Sequence, residues 1–244
     1  ATDLPWDGDT SRALPTTTYH DDAFFRAEVR TIWHGDWVFV ATEADLPDPG
    51  DRIAVDVAGQ GVLLQRTSEG RLVALSNLCT HRGTPLVEGR CSGGKLVCPY
   101  HAWVFDDEGR LRGVPHDPDG VVDKESHGLE RYRVEVWHGL VFVRLAADDG
   151  RVESVAERFA HLEPALGEAG LAELIPWPTT EEDEPWQANW KLVIANAMES
   201  YHVFSVHRET LQPLAPTSGA HTVGGSARGT LTGGSMRGAG DYLL

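Results

Sequence analysis

The segment CTHRGTPLVEGRCSGGKLVCPYHAW, residues 79–103, holds every cysteine of the 244-residue chain. Two of the three stand in tight pairs with histidine, Cys79-x-His81 and Cys98-x-x-His101, and Cys91 lies between the pairs with no histidine beside it. Each pair offers a thiolate and an imidazole within one turn of chain, with Gly83, Pro85, Gly93 and Gly94 shaping the loops around them. A single cysteine or histidine of this kind needs no reading beyond packing. Two mixed pairs this close together call for a fold that sets two loops side by side around a metal.

Ligand chemistry narrows that metal. Structural zinc accepts mixed Cys/His ligation, but its ligands usually come as C-x₂₋₄-C and H-x₃₋₅-H pairs. Here each pair is mixed, and the first has a single intervening residue. A Rieske [2Fe–2S] centre puts two cysteines on one iron and two histidines on the other, which two parallel loops of one Cys and one His each can satisfy. CTHRG followed after sixteen residues from His81 by CPYHAW resembles the Rieske signature. The resemblance implies Cys79, His81, Cys98 and His101 as cluster ligands and leaves Cys91 as a loop thiol. The respiratory-complex type adds a disulfide-forming cysteine to each loop, where this chain has Thr84 and Tyr100. That leaves a soluble Rieske ferredoxin or the Rieske domain of an oxygenase.

The flanking sequence reads as β. The runs RIAVDVA, GVLLQRT, RLVALSN, KLVCPY, AWVFDDEGRLRG and RYRVEVWHGLVFVRL follow one another from Arg52 to Leu145. Turn signals such as Ala58-Gly59-Gln60-Gly61 and Ser68-Glu69-Gly70 separate them. The pattern predicts a small all-β module with the Cys–His pairs at strand-to-loop junctions. Ahead of it, residues 1–18 predict an irregular arm. DDAFFRAEVRTIW then spaces Phe24, Phe25, Val29, Ile32 and Trp33 as a short amphipathic helix, and DWVFVATEADLPDPGD reads as a strand entering a turn. Past ADDG at 147–150 the texture changes: RVESVAERFAHLEPALGEAG is helical, EDEPWQANWKLVIANAMESYHVFSVHRETLQ runs strand into helix, and the Gly/Ser/Thr-rich tail from Pro216 carries short alternating runs that read as strands. The domains expected are an arm and helix at 1–34, the β module at 35–150 and a further domain at 151–244.

The last of these decides between a carrier and an enzyme, because a ferredoxin needs little beyond the β module. In NWKLVIANAMESYHVFSVHRETL, His202 and His207 are five apart, which on a regular α-helix sets them about 140° apart. They reach one metal only if the helix is widened by a π-turn or ends between them, and such irregularities tend to occur at functional sites. Glu199, three residues before His202, is placed to hydrogen-bond and orient that ring.

Beside the Rieske pairs, this segment closely resembles the catalytic motif of Rieske non-haem iron ring-hydroxylating oxygenases, α subunit. Asn189, Trp190, Lys191, Asn196, Glu199, Tyr201, His202 and His207 all fit it. The resemblance implies an α+β architecture: the small all-β Rieske [2Fe–2S] domain, then the first part of a helix-grip-type (SRPBCC-like) catalytic domain. It implies His202 and His207 as two ligands of a mononuclear Fe(II) site, with Glu199 the bridge by which electrons pass from His101 of a neighbouring subunit. The third ligand, a carboxylate, is expected beyond Leu244, since only 37 residues follow His207 and none matches that element. The chain is thus expected to be the amino-terminal part of a longer protein.

The activity implied is that of a terminal oxygenase. It would use O₂ and NAD(P)H electrons, delivered by a reductase, a ferredoxin or both, to hydroxylate an aromatic ring or to hydroxylate or demethylate a small organic molecule. Glutamate at 199, where many aromatic dioxygenases have aspartate, points toward quaternary amines. A homotrimer is implied, with or without β subunits. The competing readings are a soluble Rieske electron carrier and a zinc-bound interaction module. The net charge of −16 and pI near 5.0 argue against a nucleic-acid backbone or an anionic membrane as partner. No apolar run approaches the roughly 20 residues that span a bilayer, the first residues lack a signal plan, and the cysteines do not form a disulfide framework. A reducing cytoplasm is the expected setting.

Overall fold

Paired left-handed residues close the two main hairpins of the β module. Ala58 and Gly59 have φ of +49° and +88°, and His138 and Gly139 have +49° and +76°. This is the type I′ turn backbone, whose twist matches that of the flanking strands. The computed structural model describes residues 14–147, 150, 152–168, 186–226, 229–236 and 240–243. These divide into two compact units, Ala27–Val155 and a second formed by residues of Ala1–Arg26 and Ala156–Leu244.

The first unit holds β1 (Val38–Thr42), β2 (Arg52–Val57), β3 (Gln60–Arg66), β4 (Leu72–Ser76), β5 (Arg90–Cys91), β6 (Leu96–Val97), β7 (Val104–Phe105), β8 (Leu111–Gly113), β9 (Arg131–Trp137) and β10 (Leu140–Arg144). One sheet runs β1-β10-β9-β4-β3-β2-β5 and a smaller one β6-β7-β8, all pairings antiparallel. Central strands β3 and β4 are buried on both faces, and their period-2 alternation sorts the core into two clusters. Val62, Leu64 and Ala74 join Val57, Val141 and Val143 on one side. Leu63, Val73 and Leu75 join Leu96, Trp103, Phe105, Cys79 and Cys98 on the other. Both paired cysteines therefore belong to the hydrophobic core.

Two buried polar residues tie the loops to the sheet. Asn77 closes the first loop at its base: its Nδ2 donates to Val87 O at 2.9 Å, and its Oδ1 accepts from Val87 N at 3.0 Å. Arg52 holds the turn between β5 and β6, donating to the carbonyls of Gly93 (2.8 Å) and Gly94 (3.0 Å) while its Nε bonds Gln65 Oε1. Cys91 lies exposed on strand β5, so it is an edge-strand residue and not the loop thiol expected.

The expected first helix is present as α1 (Asp22–Glu28), its start capped by Asp21 Oδ1 accepting from Phe24 N at 2.7 Å. It continues as a π-turn over Val29–Trp33. The widened turn breaks the 100° phase on which the apolar stripe depends, and Ile32 is exposed; within α1 itself Phe25 is exposed and Glu28 buried. The second unit contains α3 (Glu163–Glu168), α4 (Trp190–Ala197) and an antiparallel meander of β11 (His221–Ser226), β12 (Gly229–Met236) and β13 (Gly240–Leu243), with the short α2 (Val155–Phe159) leading into it. The strand expected ahead of α4 is absent from residues 186–189, which form bends because Asn189 is used as the helix cap; residues 182–185 of that run lie outside the described residues. Among the described residues no helix is long and apolar enough to cross a membrane.

Replacing Asn77 by Ala leaves a buried N–H and a buried carbonyl at Val87 without partners. The variant is expected to lose about 2 kcal/mol of unfolding free energy with an unchanged denaturant slope. A midpoint equal to wild type would show that the bracket does not hold the loop.

Candidate metal centres

The two Cys–His loops differ in ligand spacing but share one backbone design. In the first, Cys79 N donates to Thr84 O (2.9 Å) and Gly83 N donates back to Cys79 O (2.8 Å). In the second, Cys98 N donates to Trp103 O (2.8 Å) and Ala102 N to Cys98 O (3.0 Å). The residue four places after each cysteine is left-handed, Gly83 at φ +68° and Ala102 at φ +56°. That residue turns the chain back, and each histidine lies inside the closed turn. C-x-H and C-x-x-H are thus two ways of placing an imidazole in the same frame.

Cys79 and Cys98 are 2% and 3% exposed. Burial pushes the Cys79 thiol up, as does neighbouring Cys98, against the backbone N–H groups of His81 and Arg82. A thiol so held ionises when a cation displaces its proton. The rings of His81 and His101 meet edge to face with centroids 4.6 Å apart. Nδ1 of His101 is buried with no hydrogen-bond partner, a state that a bound ion explains. Two buried sulfurs beside an imidazole nitrogen left open fit the ligand set of an iron–sulfur group of the mixed type. Trp103 braces the loops across each other: it belongs to the second loop, yet it stacks on His81 of the first at 4.8 Å and 7°. Its edge meets His127 at 5.7 Å, and Thr80 Oγ1 donates to the His127 carbonyl at 2.7 Å.

In the second unit, α4 ends at Ala197, before either histidine, and a 3-10 turn follows over Tyr201–Phe204. The helix ends before both histidines and not between them, so the five-residue spacing is not read along a regular α-helix at all. Glu199 starts the new turn. Its Oε2 accepts from Tyr201 N (2.5 Å) and His202 N (3.2 Å), and its Oε1 pairs with His202 Nδ1. The His202 hydrogen bond, helped by those backbone donors and opposed by burial, holds the carboxyl below its usual range. A carboxylate at Nδ1 keeps the proton on that nitrogen and leaves the Nε2 lone pair open, as metal-ligating imidazoles require. His207 returns through Val206 N to His202 O (2.8 Å) and His207 N to Val203 O (3.2 Å), which brings the two imidazoles to 5.3 Å between centroids. No group of three or more side chains placed to hold one metal ion occurs among the described residues; the paired loops need only two ligands for each iron. His202 and His207 fit two positions of a ligand set that takes its third from elsewhere.

Residues 36–138 match the family described as Rieske [2Fe-2S] domain, and residues 152–242 match the ring hydroxylating alpha subunit (catalytic domain). The chain belongs to the Rieske ring-hydroxylating oxygenase α-subunit family. It is 32% identical over 84% of its length to the glycine betaine monooxygenase oxygenase subunit of Pseudomonas aeruginosa, of which it covers 47%. It is 30% identical over 79% of its length to the large oxygenase component of the naphthalene 1,2-dioxygenase system of a Ralstonia species, covering 44%. A solved quaternary ammonium Rieske monooxygenase, described in connection with carnitine oxidation and inter-subunit electron transfer, superposes with a TM-score of 0.78 at 27% identity, over 91% of this chain and 61% of that one. The chain spans about half the length of the relatives it matches.

Within this α-subunit chain, the seven side chains singled out from the sequence fall into two groups: Cys79, His81, Cys98 and His101 in the paired loops, and Glu199, His202 and His207 beyond α4. The supports were not legible. Trp103 stands two residues after His101, and its aromatic ring was the only hint of a role; His127 carries none. If the matching left-handed turns are the frame, Gly83→Ala, whose new Cβ meets nothing within 4 Å, loses about 1 kcal/mol of stability from backbone conformation alone. Ala102→Gly is expected to be neutral or stabilising in the same denaturant titration. Destabilisation by both substitutions would refute the shared frame.

Proposed function

We propose that this chain is the Rieske-bearing part of a terminal oxygenase subunit. Cys79, His81, Cys98 and His101 hold a [2Fe–2S] cluster within a module of residues 35–150. His202 and His207 hold a mononuclear Fe(II), and a carboxylate from the part of its relatives' length that this chain does not span completes the site. The observation that carries the reading is one chain holding both a buried, unpartnered His101 Nδ1 in the loop of core cysteine Cys98 and an imidazole pair whose first ring is oriented by Glu199. A stand-alone electron carrier has no use for the second arrangement.

Bound in these places, the cluster supplies single electrons and the Fe(II) supplies activation of O₂ beside a substrate. The chain's own residues do the rest. The core around Cys79 and Cys98 keeps water from the sulfurs, and Trp103 fixes the plane of His81. Glu199 holds the Nδ1 proton of His202 and offers a charged, hydrogen-bonding bridge toward His101 of a neighbouring subunit, which makes a homotrimer the expected assembly. The electron source is NAD(P)H acting through a reductase, with or without a ferredoxin, in the cytoplasm. The substrate is a small organic molecule. The glutamate at 199 and the similarity to a glycine betaine monooxygenase favour a quaternary ammonium compound, hydroxylated or demethylated, over an aromatic ring.

In the full-length protein, Glu199→Ala is expected to keep the visible absorption of the cluster while turnover of a quaternary ammonium substrate falls about 100-fold. Turnover within twofold of wild type removes Glu199 from the bridge. The full-length protein should also bind more iron than its acid-labile sulfide accounts for; equal amounts, with no substrate-dependent O₂ uptake, would favour the electron carrier.

A further inference from the structure

The Asn-Trp-Lys stretch that opens α4 plays no part in holding either metal, yet it joins distant parts of the second unit. Asn189 uses both ends of its amide. Oδ1 accepts from Lys191 N at 3.1 Å and caps the helix, and Nδ2 donates to the carbonyl of Tyr19 at 3.1 Å, 170 positions earlier in the chain. Lys191 then sets its ammonium over three aromatic rings: Tyr19 at 5.5 Å, Phe24 at 5.4 Å and Trp190 at 5.2 Å from their centroids. Ring faces attract a cation within about 6 Å, and here three act on one charge. Among the described residues none of the side chains of α4 is buried, and Leu192 and Ile194 are exposed. This cage holds its start, and its end leads into the turn that Glu199 builds after Ala197. An eight-residue α-helix is a rod about 12 Å long, so movement at Lys191 is carried to Glu199 and His202.

We propose that Lys191, with Asn189, is a positioning residue: the segment bearing Tyr19 and Phe24 seats α4 through a cation–π cage and so places Glu199 and His202. This rests on the reading of His202 and His207 as the iron site. The cage responds to charge and to ring faces and not to bulk. Arginine keeps its contribution and methionine, which preserves most of the stem, removes it.

The test uses the full-length protein with its cluster in place. Hydrogen exchange of the amides of 192–204 and the affinity of the catalytic site for added Fe(II) are measured for wild type, Lys191→Met, Lys191→Arg and Tyr19→Leu. Lys191→Met is expected to exchange roughly two- to thirtyfold faster over 192–204 and to bind Fe(II) more weakly, with cluster absorption unchanged. Lys191→Arg should restore both. Tyr19→Leu should reproduce the effect from the other side of the cage, and the double variant should add less than the sum of the two. If Lys191→Met does not accumulate, Tyr19→Leu with Lys191→Arg decides by the same two readouts. Wild-type exchange in the variants, failure of rescue by Arg, or faster exchange with unaltered Fe(II) affinity overturns the positioning role. His202→Ala serves as the control on the underlying reading: unaltered Fe(II) affinity in that variant would overturn the iron site itself, whatever Lys191 does.

Discussion

The first unit depends on burying two cysteines in the same apolar cluster as Leu63, Val73, Leu75 and Phe105. Sulfur packs there as a small hydrophobe, and the apolar surroundings that stabilise the fold also disfavour a free thiolate, as the raised Cys79 shows. That conflict is resolved when a cation takes the sulfurs. The sheets supply the cluster, the matched left-handed turns at Gly83 and Ala102 supply the loop shape, and Asn77 and Arg52 tie the loop bases to the sheet. Trp103 on His81 then fixes one loop against the other.

The second unit solves a different problem with a different device. Its two histidines sit past the end of a helix, and Glu199 performs two tasks with one carboxylate. One oxygen accepts the backbone N–H groups that open the 3-10 turn, and the other fixes the tautomer of His202. Local folding and ligand orientation are thus coupled through a single side chain, so Glu199 matters structurally even before any role between subunits. The Lys191 cage extends the same logic one helix further back.

Legibility in the sequence followed the range of the interactions involved. The β texture of the first unit and the Ala58-Gly59 hairpin turn are local and formed where residue type and spacing placed them, although the run RYRVEVWHGLVFVRL divides into two strands at His138-Gly139. The grouping of six candidate ligands, four in paired loops and two beside the carboxylate of Glu199, was legible because metal chemistry restricts residue types as well as spacing. What escaped was long-range or depended on backbone strain. The exposure of Ile32 accompanies a π-turn that helical periodicity does not encode. The non-helical path after Ala197 follows from side-chain capture of backbone N–H groups by Glu199. The His127–Trp103 contact and the Tyr19–Asn189 bond join residues whose sequence positions carry no mutual signal.

The central claim is that the two loops hold one cluster through the two histidines as well as the two cysteines. Pulsed electron–nuclear double resonance on the dithionite-reduced protein, with histidine labelled by ¹⁵N, measures this directly. The account predicts two strongly coupled histidine nitrogens, one of them lost on replacement of His81 and the other on replacement of His101. A reduced cluster with no strongly coupled histidine nitrogen, or with a single one that survives both replacements, would contradict it.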